Sequence, residues 1–364
     1  MDLCYNNQQM KGILFMGQIQ VFGKWNLEKG IWVKNPDEKD YGRSFAIANY
    51  DRIINDDGKI DYIIFTHGSR VEDHSKDFFE IKEKKAGMKN IISHYQNSNG
   101  NYCIKLFLMD ADAPIIEDAR LLAKYVEMLA TIPTTNSVNI IGLSKCSVMN
   151  FYLPRFFEKS TTFAKTNIYN IAAPYDGTKL ASPLVFYPEV RKVISSKISN
   201  EKLSNTIYEK IVNFYEGISS NSHMDYDIAI PGGIPESKQH VYDETFIQNV
   251  FAADNVEAVK KLNSFKNFLT GIDSNTLKEA ISTMNFTGIG LCILNDVFFD
   301  KKSDGMVYIS SQQQVDDIMG IKSHQLVSAH HDVPSNKRVM SDVLSVVDDT
   351  IGEFTEKQKS LIKK

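Results

Sequence analysis

Val138-Asn139-Ile140-Ile141-Gly142-Leu143-Ser144-Lys145-Cys146 is the stretch from which the rest of the chain is read. Its first six residues, Asn139 apart, are apolar and rich in β-branched side chains, which predicts a short buried strand. The residues that follow, SVMNFYLPRFFEK, predict a helix. Strand and helix therefore meet at Ser144 with no room for a loop. Such a turn strains the backbone and pushes the serine hydroxyl out at the C-terminal edge of the sheet. The flanking residues must be small, because strand and helix approach closely. Gly142 meets that requirement, while Cys146, in the second flanking position, is small but is not glycine. A plainer reading stands beside this one: a serine between a strand and a helix is often an N-cap.

Working outward, the pattern repeats. Residues 102–110 (YCIKLFLMD) and 166–174 (TNIYNIAAP) predict strands. Residues 117–132 place Leu121, Leu122, Tyr125, Met128 and Leu129 at helical spacing. Strand alternating with helix predicts an α/β fold with a mostly parallel central sheet and helices on both faces. Short strands are expected over residues 1–60, including 13–25, and a buried strand in DYIIF before Phe65-Thr66-His67-Gly68-Ser69. After Pro174 the pattern breaks. Residues 183–285 read as mainly helical and are expected to form an insertion in the core, which comprises 1–182 and 286–364. The strand–helix pattern resumes in GIGLCILNDVFF at 288–299, and a last helix closes the chain.

Composition narrows the function. Hydrophobic residues are 43% of 364, enough for a sizeable buried core, so disorder is a poor reading. A net charge of −4 with scattered lysines gives no footprint for nucleic acid. Cys4, Cys103, Cys146 and Cys292 include no CxxC pair, which argues against a metal site or a disulfide framework. The N-terminus lacks a basic segment followed by an apolar one, and no apolar run approaches the roughly 20 residues of a membrane span. A cytoplasmic location is the default expectation; export by another route would leave no mark readable here.

Three more clusters carry chemistry. His67-Gly68-Ser69 follows an early strand, where backbone N–H groups can face a developing oxyanion. The donors would be the amides of Ser69 and of Lys145, the residue after Ser144. The alternative is a plain turn glycine beside a histidine that bonds its own loop. Ser303-Asp304-Gly305-Met306-Val307 places an aspartate in a tight turn after a strand. Asp304 could hold a histidine in its reactive tautomer; Asp296, Asp300, Asp110 and Asp112 stay open as alternatives. Finally, His330-His331-Asp332 lies in a late loop, suited to a general base. Both histidines stay open as that base, and a metal bound by His330, His331 and Asp332 is a rival reading.

The order serine, acid, histidine, with each near a strand end, resembles the lipase and esterase branch of the α/β-hydrolase superfamily. The resemblance spans residues 61–182 and 291–342. It includes Ala172-Ala173-Pro174-Tyr175-Asp176-Gly177-Thr178-Lys179-Leu180-Ala181, similar to a lipase segment after the nucleophile helix. It also includes Asp304-Gly305-Met306-Val307 with Ser310-Ser311-Gln312, similar to the family's acid loop. The family's histidine is often followed by an apolar residue three positions on, Asn six on and Val nine on. Counting from His330 gives Val333, Asn336 and Val339, whereas His331 gives no match. The resemblance therefore implies Ser144, Asp304 and His330 as the catalytic set, with His331 as the alternative base. Cys146 departs from the family's pattern.

What the resemblance implies is hydrolysis of a carboxylic ester through an acyl-enzyme, without a metal or organic cofactor. The resemblance also implies that the 183–285 insertion is a cap or lid over the site; its Phe186, Tyr187, Phe214, Tyr215, Phe265 and Phe268 read either as cap core or as an acyl-binding wall. A small-molecule or lipid ester is the expected substrate, with transient contact of the cap at a membrane surface. Thioesterase or amidase chemistry on the same triad is the runner-up. A non-catalytic binding protein on the same fold is the third reading.

Overall fold

Runs of Ile, Tyr, Phe and Val that are buried from end to end become the middle of a sheet. A computed structural model describes residues 19–22, 25–28, 31–34, 45–53, 58–66, 82–96, 98, 100–108, 115–218, 250–272, 303–304, 307–328 and 330–362. In chain order the strands are β1 (Ile19–Phe22), β2 (Trp25–Glu28), β3 (Ile31–Lys34), β4 (Phe45–Ile53), β5 (Ile60–Thr66), β6 (Tyr102–Leu108), β7 (Thr135–Leu143), β8 (Thr166–Ile171), β9 (Ser264–Gly271) and β10 (His324–Val327). Eight of them form one sheet in the order β1-β4-β6-β5-β7-β8-β9-β10. From β6 to β10 every pairing is parallel, and β4 runs antiparallel to both its neighbours. β2 and β3 pair separately.

Parallel strands need crossover connections, and helices supply them. They are α1 (Lys82–Tyr95), α2 (Ile115–Ala130), α3 (Lys145–Tyr152), α4 (Ser160–Lys165), α5 (Pro183–Lys197), α6 (Glu201–Ile218), α7 (Ala253–Lys260), α8 (Ile309–Met319) and α9 (Lys337–Ile362). One face of the sheet is covered by α2, α3, α7 and α8, whose Leu122, Val126, Met149, Val259 and Val315 join a single core. α1 and α9 cover the other face, through Met88, Ile91, Val343, Leu344, Val347 and Ile351. Each such side chain contributes about 1.5–3 kcal/mol by leaving water. The expected α/β fold, a mostly parallel central sheet with both faces covered by helices, is therefore present.

At the opposite end of the sheet from Ser144, a polar ladder crosses the strands. Asn263 donates to Asn167, Asn167 to Asn139, Asn139 to Ser137, and Ser137 to Asp61. The side chains of this ladder are thus hydrogen-bonded to one another, as burial requires.

The expected helical block at 183–285 needs correction. α5 and α6 are helices, and Phe186, Val190, Ile194 and Ile207 form their shared core. Residues 264–271, however, are β9, lying between β8 and β10 in the central sheet. α7 packs on the main core through Val256 and Val259. Leu262, Phe265, Phe268 and Leu269 fall at helical spacing, which explains the misreading. A strand buried on both faces shows no alternation to contradict that spacing. Phe268 faces one core and Phe265 the other, so neither belongs to a cap. The strand expected at 288–299 lies outside the described residues.

Candidate active site

β7 ends at Leu143, and α3 begins at Lys145. Ser144 alone makes the turn, with φ 57° and ψ −126°. A non-glycine residue in the positive-φ region is strained, at a cost of order 1–3 kcal/mol, and persists only when its surroundings enforce it. Here they do. Ser144 N–H donates to Ile171 O at 2.9 Å, and Ser147 N–H to Ser144 O at 2.9 Å. The Ser147 hydroxyl bonds both the carbonyl and the amide of Ile171 at 3.0 Å. The Ser144 hydroxyl makes no capping hydrogen bond to α3, so the N-cap reading does not hold.

The requirement for a small residue is met at Gly142. A Cβ there would lie 2.3 Å from Asn150 Nδ2, 3.1 Å from Ser147 Cα and 3.2 Å from Asn170 Oδ1. Cys146 is wholly buried in the core under α3, so the second flanking position is filled rather than crowded. Lys145 is also buried, at the start of the helix. Asn150 donates to Thr66 Oγ1 at 3.1 Å, tying α3 to the last residue of β5. His67, Gly68 and Ser69 follow that residue and lie outside the described residues.

The acid and the histidine meet. His330 Nδ1 lies 2.7 Å from Asp304 Oδ2, and the His330 amide donates to the Asp304 carbonyl at 2.9 Å. An ionised carboxylate only accepts, so a neutral imidazole paired with one carries its proton on Nδ1 and its lone pair on Nε2. Asp304 Oδ1 accepts the Val307 amide at 2.8 Å. Exposure falls from 8% at Ser144 and 6% at His330 to 1% at Asp304.

The residues at fixed intervals after His330 have structural roles. Val333 and Val339 are core residues, and Asn336 caps α9 by accepting from the amides of Arg338 and Val339. His331 belongs to the same short turn, His330–Asp332. Asp332 is exposed while His330 is buried, and among the described residues no group of three or more His, Cys, Asp or Glu could hold a metal ion.

Ser144 and the Asp304–His330 pair occupy the same edge of the sheet. In register, Leu143 faces Ile171 and Ile171 faces Phe268, so Ser144 and the end of β9 are both at the C-terminal rim. β8 alone separates β7 from β9, a gap of about 10 Å at two strand spacings. Two residues that the sequence did not single out also meet Asp304. Thr270 Oγ1 donates to Oδ2 at 2.6 Å and Gln312 Nε2 at 3.2 Å. Reading 183–285 as mainly helical hid Thr270, and Gln312 entered only as part of a loop resemblance.

No protein-family model matches the chain, and no curated protein matches it. Among solved structures, it is similar to the mature lipase BlEst2 of Bacillus licheniformis, at 12% identity, covering 83% of this chain and 97% of that one, with a TM-score of 0.43. Est1E from Butyrivibrio proteoclasticus is similar at 8% identity, over 91% and 99%, with a TM-score of 0.44. The peroxisomal alpha-beta-hydrolase Lpx1 of Saccharomyces cerevisiae is similar at 12% identity, over 92% and 88%, with a TM-score of 0.44.

Proposed function

We propose that the protein is a serine hydrolase that cleaves a carboxylic ester through an acyl-enzyme, with Ser144 as nucleophile, His330 as general base and acid, and Asp304 as its orienting carboxylate. The observation that carries this reading is the buried 2.7 Å contact between His330 Nδ1 and Asp304, at the sheet edge where Ser144 occupies a strained turn. Held with its proton on Nδ1, the imidazole can take the Ser144 proton on Nε2 as Oγ attacks the ester carbonyl. The tetrahedral oxyanion is met by the Lys145 amide at the start of α3 and by the amide of Ser69. Donors of this kind are each worth about 3 kcal/mol of transition-state stabilisation. The imidazolium then protonates the departing alcohol. Water, deprotonated by the same ring, releases the acid and restores Ser144. This chemistry needs no metal or organic cofactor.

α5 and α6 act in this reading as a cap over the rim, and their apolar residues suit an acyl or lipid ester. A panel of p-nitrophenyl esters from acetate to palmitate tests the reading. The protein should hydrolyse part of the series, and Ser144→Ala should abolish that turnover. Turnover that survives Ser144→Ala would remove the serine mechanism.

A further inference from the structure

The geometry points to Thr270 and Gln312 as positioning residues for the acid: they hold the Asp304 carboxylate, and through it set the basicity of His330. This inference rests on the proposed roles of Asp304 and His330. Both side chains are wholly buried, at the end of β9 and in α8. The orientation of the Gln312 amide is dictated by its surroundings. The Thr270 backbone N–H can only donate, and it points at Oε1 from 2.7 Å. Nε2 then faces three acceptors: Thr270 O at 3.1 Å, Val307 O at 3.2 Å and Asp304 Oδ2 at 3.2 Å. Gln312 thus clamps the strand end and the acid turn to one another with a single amide.

Among the described residues, Asp304 Oδ2 consequently receives donors from the His330 ring, the Thr270 hydroxyl and the Gln312 amide. These donors share the charge of one oxygen. Each one that is removed leaves more of that charge to the imidazolium, which raises the pKa of His330. A raised pKa keeps the base protonated to higher pH and slows acylation at neutral pH. The clamp is itself held from below. Asn267 donates to Gln312 O at 2.9 Å, and Tyr175 bridges Asn267 to Asn170, which bonds Ser147 O in α3. A buried polar chain therefore links the turn that carries Ser144 to the residues that carry Asp304.

The test is Thr270→Val, which keeps the shape and removes the hydroxyl, with Thr270→Ser as the conservative variant and Gln312→Met as the second site. His330 is titrated by NMR of its ring carbons in the intact protein, with no turnover required. Thr270→Val should raise the His330 pKa by about 1 unit, since a hydrogen bond to a charged group has that worth. Thr270→Ser should restore it, and Gln312→Met should move it the same way. Where esters are turned over, kcat should fall about tenfold with KM within twofold, and the acid limb of kcat/KM should move up in pH. An unmoved titration in both variants, or a shift that Thr270→Ser leaves in place, overturns the inference. Because the titration is read without substrate, absence of ester hydrolysis would strike the proposed function alone.

Discussion

His330 Nδ1 and Asp304 Oδ2 stand 2.7 Å apart, although 26 residues separate them in the chain. The backbone repeats the contact, since the His330 amide donates to the Asp304 carbonyl. Backbone and side chain thus fix the imidazole together, which gives the pair its expected weight in catalysis. Asp304→Asn keeps the shape of the side chain but presents a donor where an acceptor is needed. It should lower kcat by about 10,000-fold with little change in KM, as the loss of an orienting carboxylate does in serine proteases. Steady-state kinetics on the best p-nitrophenyl ester measures this directly.

The turn at Ser144 depends on the absence of a side chain at Gly142. Gly142→Ala places a Cβ against Asn150 Nδ2, and behind it lie backbone atoms of Ser147. Overpacking of that kind costs about 1–3 kcal/mol. Urea unfolding should show a lower midpoint. Activity should fall beyond the loss of folded protein, because α3 must move away from β7 and take the Lys145 amide with it.

Cys146 gives the opposite result to the one its place beside the tight turn suggests. Replacing it by glycine restores the commoner residue of the turn, yet empties a filled site in the core under α3. The lost packing and the added backbone entropy together should cost about 2 kcal/mol. Cys146→Ala should cost about half of that, and both variants should keep kcat in their folded fraction. Denaturation midpoints paired with active-site titration check the two halves of this expectation.

Asp61 ends the polar ladder, and its carboxyl is pushed above the ordinary range by burial, against hydrogen bonds from Ser137 and Asn136 that pull it down. A carboxyl whose folded pKa is raised contributes stability below its unfolded pKa and loses it as pH climbs through the folded value. Asp61→Asn removes that titration. The variant should be more stable than the parent at neutral pH, and the difference should close as pH falls to about 3.5, below both values. Urea midpoints followed across that window give the sign.

Much of this site can be read from residue order and spacing. A β-branched run ending in Gly142-Leu143-Ser144 marks a tight turn because few other arrangements join such a strand to a helix. Val333, Asn336 and Val339 select His330 because two of them must be buried and one must cap α9, and those demands repeat at fixed intervals. The acid turn is less legible, since Asp-Gly is common and only the fold brings Asp304 to His330. β9 was hidden by its own burial: with Phe265 and Phe268 facing different cores, no alternation remains to distinguish strand from helix. Thr270 and Gln312 were hidden for a related reason. Their roles arise from three segments meeting at the end of β9, and nothing local in TGI or SQQQ reveals that meeting.

The central claim is that the Ser144 hydroxyl is made nucleophilic by His330 and Asp304. Labelling by a fluorophosphonate, followed by intact mass and peptide mapping, tests it most directly, because the probe reacts only with an activated serine and needs no knowledge of the substrate. The protein should gain one adduct, located on Ser144, that is absent in Ser144→Ala and formed far more slowly in Asp304→Asn. An unlabelled Ser144 in the folded protein, or an adduct on another residue, would contradict the account.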